Sequence, residues 1–264
     1  SSYGVPYRLN PGERTLVVLP LFHIAAISTA FCAIATGACL VIHRDVDPAA
    51  IVRTLREEEI VVASLVPAVI QFILTAVPGI EEMRFPALKY MGYGASPIAE
   101  PILRKALSVF KCHIAQGYGM TETAGSSTLL PEADHVRALR DRPDLLLSAG
   151  RPLPGTELRI VDPAGRDLPR GEIGEIFLRG GQLMSGYWNM PEATAEALAD
   201  GWMHTGDAGL ADAEGYLFLR DRVKDMIVSG AENIYPVEIE RILFMHPGVA
   251  GVSVIGVPDG RWGG

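Results

Sequence analysis

Cysteine is scarce in this chain. The 264 residues hold three, Cys32, Cys39 and Cys112. They are far apart, odd in number and set in apolar runs, a pattern of reduced core residues that excludes a disulfide framework and a thiolate metal site. Basic excess is absent too: Lys and Arg number 23 against 31 Asp and Glu, a formal net charge of -8. An acidic, well-mixed surface argues against wrapping nucleic acid or lying on anionic lipid. The reduced cysteines make the cytoplasm the predicted compartment, and the first residues, SSYGVPYRLN, show no basic n-region and no apolar h-region of a signal peptide. Residues 15–42 lack charge altogether and are long enough on length alone to cross a bilayer. Pro20, His23 and Gly37 interrupt them, however, and divide them into strand (15–19), helix (23–35) and strand (38–42), the texture of buried parallel strands. Membrane association is expected to be peripheral at most.

What is present is regular alternation. A helix is expected over 47–59, a β-branched strand over 60–66, a helix with proline in its first turn over 67–76, a strand over 88–93, a helix over 97–110 and a short buried strand over 109–115. Strands alternating with helices predict an α/β fold, a mostly parallel sheet flanked by helices, with ligands at the carboxyl ends of the strands. Beyond Pro131 the texture changes. Residues 132–147 are charged and helical or looped, and 150–181 are β-rich, with strands at 157–161 and 175–179. A short helix follows at 191–198, a strand at 226–229, and a helix that begins at Pro236. This predicts an α/β part over 1–149, a β-rich subdomain over 150–220 and the start of a small α+β C-terminal domain over 221–264.

Several stretches carry chemistry. Residues 116–125, QGYGMTETAG, pack glycines, an aromatic, two hydroxyls and one carboxylate into ten positions. Gly117 and Gly119, lacking Cβ, let backbone approach a ligand, Tyr118 offers a ring to a base, Thr121 a hydroxyl to a phosphate, and Glu122 a hard carboxylate to a divalent cation. The plainer reading of the segment is a strand ending in a glycine turn, with Thr121 capping the next helix. GYGASP, residues 92–97, leaves the preceding strand and places a second glycine wall beside the first. It lacks the third glycine of a dinucleotide fingerprint and the acidic residue expected further on, so it makes a poor Rossmann fingerprint. GWMHTGD, 201–207, ends in an acid behind a glycine, suited to the two hydroxyls of a ribose; its plainer reading is an Asp at a loop tip. His204 has no second ligand at metal spacing. In LPLFH, 19–23, Phe22 and His23 suit the lining of an acyl pocket, and core packing explains Phe22 equally well. The charged run opening LRDRVKDMIVSGAENIYPVEIE, 219–240, reads as a solvated face or a hinge.

Taken in order, LPLFH, GYGAS, QGYGMTETAG, GEIGEIFLRG with GYW, GWMHTGD and DRVKDMIVSGAENIYPVEIE resemble the successive core motifs of the adenylate-forming superfamily, specifically its acyl-CoA synthetases. The resemblance implies activation of a small carboxylic acid by ATP with Mg²⁺, through an acyl-adenylate, and then thioester formation with coenzyme A. It implies that Thr121 contacts the phosphate and Glu122 holds the metal, and that Gly94, Ala95, Ser96 and Tyr118 frame the adenine. Gln116, Gly117, Gly119 and Met120 belong to the same nucleotide-binding motif, Asp207 would bind the ribose and Arg222 would assist there. Lys224 aligns with a hinge, Gly230, Glu232 and Asn233 with a loop that nears the pantetheine arm, and His23 with a gate between acyl pocket and thiol channel. Departures are Asp221 and Ala231, both where glycine is common, and the absence of a Ser/Thr/Gly-rich phosphate loop and of a C-terminal catalytic lysine. These predict an internal piece of a longer synthetase, impaired by itself. Three other readings stand beside it: an amino-acid-activating domain, disfavoured because no aspartate near Phe22 and His23 would pair a substrate ammonium; a luciferase-like oxidase; and a non-catalytic nucleotide-binding remnant. A homo-oligomer is compatible with the composition.

Overall fold

The structure, a computed structural model, describes residues 9–96, 98–229, 232–244, 246, 248–249 and 251–257. It divides into two compact units, residues 1–156 with 180–185, and residues 157–179 with 186–264.

The first unit is built on a seven-stranded sheet. Its chain order is β1 (Arg14–Val17), α1 (Ile24–Thr36), β2 (Cys39–Ile42), α2 (Pro48–Glu57), β3 (Ile60–Leu65), α3 (Pro67–Ala76), β4 (Tyr90–Gly94), α4 (Glu100–Phe110) and β5 (His113–Met120). It closes with β6 (Gly125–Leu130), α5 (Glu132–Arg140) and β7 (Arg151–Pro152). The sheet order is β2-β1-β3-β4-β5-β6-β7, parallel as far as β5 and antiparallel through β6 and β7. The chain therefore winds outward from β1 to β2, then returns past β1 to β3 and continues the other way. Right-handed crossovers put α1 on one face and α2, α3 and α4 on the other, and α3 packs on both α2 and α4. The crevice where the winding reverses, outside the carboxyl ends of β1 and β3, is the expected ligand position.

Local chemistry explains the elements. Asp47 caps α2 by accepting from the amides of Ala49 (2.8 Å) and Ala50 (3.1 Å), and proline at the first helical position starts α2 and α3. α2 buries Ile51, Val52 and Leu55, and α3 buries Val69, Ile70, Ile73 and Leu74, with about 1.5–3 kcal/mol from each large side chain. α1 is different: its buried residues are Ala26, Ala30 and Ala33, and Gly37 ends it in the left-handed region at φ 70°. Alanine at that spacing lets the helix approach the sheet closely. No helix among the described residues is long and apolar enough to cross a membrane.

Two expectations change here. Val109 and Phe110 end helix α4, and the strand is His113–Met120, so the QGYGM motif is strand and the turn begins at Thr121. Lys111 at φ 48° makes the break. The apolar residues before Gln116 had hidden it, because a buried helix end and a buried strand are alike in hydrophobicity. The cysteines are not all core: Cys39 is exposed on edge strand β2, while Cys112 is buried enough to push its thiol up to about 12.

The second unit carries β8 (Thr156–Val161), β9 (Gly174–Gly180), α6 (Pro191–Ala197), β10 (Leu198–Ala199), β11 (Trp202–Ala211) and β12 (Leu217–Arg222). β9 and β11 are antiparallel, β8 lies beyond β9, and β10 and β12 both pair with β11. A hairpin of β13 (Ile227–Ser229) and β14 (Glu232–Ile234) and helix α7 (Pro236–Phe244) follow.

Candidate functional site

In the first unit, GYGAS and QGYG lie on neighbouring strands in register: Gly92 opposite Ala115, Tyr93 opposite Gln116, Gly94 opposite Gly117. The two glycine walls expected of one crevice are neighbouring strands of a single continuous wall. The missing Cβ atoms serve strand packing. A Cβ on Gly94 would overlap the Gly117 carbonyl, and one on Gly119 would overlap the Gly125 carbonyl and meet Ser126 Cα at 2.9 Å. One on Gly117 would overlap the Ser126 hydroxyl, so there a side chain is the obstacle. The backbone crowding that excludes side chains at these positions also leaves a smooth surface above the sheet.

That surface floors a cavity of about 160 Å³ at the carboxyl ends of the strands. Gly94, Ala95, Gly117 and Gly119 line it from β4 and β5, Ser64 and Leu65 from β3, and Gly125, Ser126 and Leu129 from β6. Ile24, Ala25, Ser28 and Thr29 of α1 form the facing side. No acidic, basic or imidazole side chain lines it. Ala95 sits at φ 67°, in the left-handed region that favours glycine; such strain gathers at ligand sites.

Between β5 and β6 the chain makes a single 3-10 turn, Thr121–Thr123, closed by Ala124 at φ 52°. This turn stands at the cavity rim, since Gly119 and Gly125 on either side of it are lining residues. Thr123, buried and absent from the sequence-based reading, pins the turn: its hydroxyl lies 2.8 Å from the Gly125 carbonyl and 3.1 Å from that of Met120, and accepts from the Met120 amide at 3.0 Å. The Glu122 carbonyl accepts from the Met184 amide at 2.8 Å. The fixed turn leaves Thr121 exposed and Glu122 half-buried. Among the described residues no group of three metal-ligating side chains exists. One carboxylate fits Mg²⁺, which is held by one or two carboxylates together with phosphate oxygens and water.

Other expected residues stand apart from the cavity. Tyr118 and Gln116 are buried on the alternate positions of β5 and do not line it. The Gln116 side chain lies 3.1 Å from the Tyr93 hydroxyl, which is 3.2 Å from His135 Nε2, and His135 Nδ1 is 3.0 Å from the Pro131 carbonyl. A carbonyl only accepts, so Nδ1 carries a proton, and burial pushes the His135 pKa down and keeps the ring neutral. Nε2 therefore accepts from Tyr93, and the Gln116 amide turns its NH₂ group to the phenol oxygen. Burial likewise raises the Tyr93 pKa and keeps the phenol protonated. This chain joins β4, β5 and α5 directly behind the glycine wall. Ser96 and Met120 lie at the ends of the same two motifs, Ser96 exposed and Met120 half-buried. His23 is exposed at the N-cap of α1, one residue before the lining Ile24, with its ring 4.6 Å from that of Phe22. Phe22 is 84% exposed, which removes core packing as its explanation.

In the second unit, β11 bulges against β9 between His204 and Ala208, so Asp207 is a strand residue and no loop tip. Gly206 takes φ 69° and gives its amide to Glu175 Oε1 at 3.1 Å, while Thr205 Oγ1 donates to the Ile176 carbonyl at 2.7 Å and accepts from the Asp207 amide at 3.1 Å. Asp207 pairs across the ladder with Arg222, Oδ1 to Nε 3.5 Å. His204 stacks on Phe177 with centroids 3.8 Å apart. Asp221, the departure from glycine, has a structural role: its carboxylate accepts from the Arg222 amide (2.8 Å) and the Val237 amide (3.1 Å), joining β12 to the first turn of α7. Lys224 lies in the turn after β12, and Glu232 and Asn233 lie on β14. Gly230 and Ala231 fall outside the described residues.

Comparison with known proteins gives the family. The family model described as AMP-binding enzyme matches residues 2–188. Fatty acid--[acyl-carrier-protein] ligase ScoC of Streptomyces coeruleorubidus is 42% identical over 252 residues, 96% of this chain and 48% of its own length. Feruloyl-CoA synthase of an Amycolatopsis species is 40% identical, covering 97% of this chain and 50% of its own. The solved structure of o-succinylbenzoate coenzyme A synthetase (MenE) from Bacillus subtilis, in complex with ATP and magnesium ion, superposes with a TM-score of 0.84 at 31% identity, over 98% of this chain and 51% of that one. The chain spans about half the length of the curated relatives it matches. The chain belongs to the AMP-binding enzyme family.

Proposed function

We propose that this chain is the acid- and nucleotide-binding part of an ATP-dependent acid–thiol ligase. The observation that carries the reading is the apolar cavity with the Thr121–Thr123 turn at its rim. An acid whose tail enters the cavity leaves its carboxylate at that rim, where Thr121 and Glu122 stand. The carboxylate oxygen attacks the α-phosphorus of ATP, the α–β phosphoanhydride bond breaks, and pyrophosphate leaves with the acyl-adenylate formed. A thiolate then attacks the acyl carbon and AMP departs, leaving a thioester. Thr121 donates to a phosphate oxygen, and Glu122 helps hold Mg²⁺, which neutralises charge on the phosphates when bound. Ala95 and Ser96, where β4 ends, meet the adenine beyond the acyl tail, and Gly94, Gly117 and Gly119 form the wall beneath that tail. Tyr118 and Gln116 support the wall from behind, with Met120 at its end, and Asp207, paired with Arg222, would accept from the ribose hydroxyls.

The residues after Lys224 begin a smaller domain that turns about it, and the loop at Gly230, Glu232 and Asn233 meets the thiol's pantetheine arm. His23 gates the passage between acyl pocket and thiol. The relatives favour two acceptors, since one is a feruloyl-CoA synthase and another a fatty acid ligase that acts on an acyl carrier protein. An apolar acid fits the uncharged cavity, and the cytoplasm suits the free cysteines.

The test is AMP release and thioester formation by the full-length parent protein with ATP, Mg²⁺, coenzyme A or carrier protein, and a panel of acids. Formation of both products supports the ligase; AMP release with none of the acids defeats it.

A further inference from the structure

We propose that the cavity selects a compact, uncharged acyl tail, a single six-membered ring or a chain of about six carbons, and that Ser126 sets the limit on its size. The proposal rests on the ligase reading only in taking the ligand to be an acid.

Volume comes first. The cavity measures about 160 Å³, and an engineered protein cavity of about 150 Å³ binds benzene. One ring fills it. A sixteen-carbon chain overfills it and would extend past its open side. On the floor of the cavity Gly92, Gly94, Gly117, Gly119 and Gly125 present backbone, and a strand backbone held by ladder hydrogen bonds does not turn aside as the lining Leu19, Leu65 and Leu129 side chains can.

Charge comes second. No lining residue is Asp, Glu, Lys, Arg or His, so a second carboxylate or an ammonium on the tail loses its hydration and gains no counter-ion. Most lining hydroxyls are already engaged. Thr29 Oγ1 and Ser28 Oγ donate to the Ala25 carbonyl at 3.0 and 3.3 Å, and the Tyr93 hydroxyl belongs to the Gln116–His135 chain. Ser64 and Ser126 remain, and neutral hydroxyls compensate no ion.

Position singles out Ser126. Its Cβ is 3.2 Å from where a Cβ of Gly117 would stand, so its side chain lies over the floor of the cavity. A larger side chain at 126 extends across that floor.

The test uses the full-length parent protein with ATP, Mg²⁺ and thiol, measuring kcat/KM for phenylacetate, hexanoate, palmitate, adipate and phenylalanine. Phenylacetate or hexanoate is expected to exceed each of the other three by about 100-fold. A preference for palmitate, adipate or phenylalanine overturns the proposal. Ser126→Leu is expected to lower the phenylacetate-to-propanoate ratio of kcat/KM by about tenfold, with Ala25→Leu on the facing helix as a second variant. An unmoved ratio in both refutes the size limit. Saturation-transfer NMR with the same acids separates this inference from the ligase reading. If no acid releases AMP, the ligase reading fails, while binding of phenylacetate or hexanoate in preference to palmitate and adipate still supports the pocket. Absence of that preference overturns it.

Discussion

Thr123 shows how much one hydroxyl can organise. It contacts two carbonyls and one amide within a single turn, and that turn positions Thr121 and Glu122. Thr123→Val keeps the shape and leaves buried backbone groups unpaired, so it is expected to destabilise the protein by about 1–3 kcal/mol, read from a urea midpoint. Glu122→Gln keeps the fold and removes the metal-holding charge. Its expected signature is a loss of about 100-fold or more in Mg²⁺-dependent AMP release by the parent protein. His135 is the residue with a pH signature. Burial holds its pKa below the ordinary value, so the unfolded chain takes up a proton first as pH falls. Its contribution is complete above the unfolded pKa of about 6.5 and is lost as pH falls through that value toward the folded pKa. The urea midpoint of the unaltered protein should drop between pH 7 and 5, and His135→Gln should flatten that drop. Equal slopes for the two proteins would refute the neutral buried ring.

At the scale of elements, the β4–β5–β6 wall depends on glycine for reasons that differ by position. Beside Gly119 the obstacle is backbone, which cannot turn aside; beside Gly117 it is the Ser126 side chain, which can. Gly119→Ala is therefore expected to cost about 3 kcal/mol and Gly117→Ala about 1 kcal/mol, both read from denaturant midpoints. The opposite ranking would mean that the strands separate more easily than the side chain rotates. The Asp221 carboxylate joins β12 to α7. Asp221→Ala should leave the β11–β12 ladder intact while accelerating hydrogen exchange at the Val237 amide, a local effect of about 1 kcal/mol.

For the whole molecule, surface chemistry is the main concern. α1 turns Phe31 and Ile34 outward, edge strand β2 exposes Ile42, and Phe22 stands clear of the core. An apolar helix face beside an exposed strand edge is a site for association. The 264-residue chain by itself is expected to self-associate at micromolar concentration in sedimentation velocity, and the full-length parent to remain discrete. A monodisperse 264-residue chain that unfolds cooperatively would contradict this.

Local pattern was enough for most of the architecture, because helix starts, strand runs and turns are decided by residues near one another in the chain. Asp47 before Pro48, proline at the head of α3 and the alternation over residues 60–76 all act within a few positions. The ordered motifs likewise identified the family, since each keeps its residue types in sequence. Interactions between distant segments decided the rest. Whether Gln116–Met120 is strand or loop depended on β4 and β6 pairing on either side of it. That the two glycine motifs form one wall depended on register, and Asp207 reached its strand position through a bulge against β9. The Tyr93–His135 contact joins residues 42 positions apart, and hydrogen bonds of that range leave no local signature. The cavity itself is a property of the assembled sheet and α1, and its volume follows from what packing leaves empty.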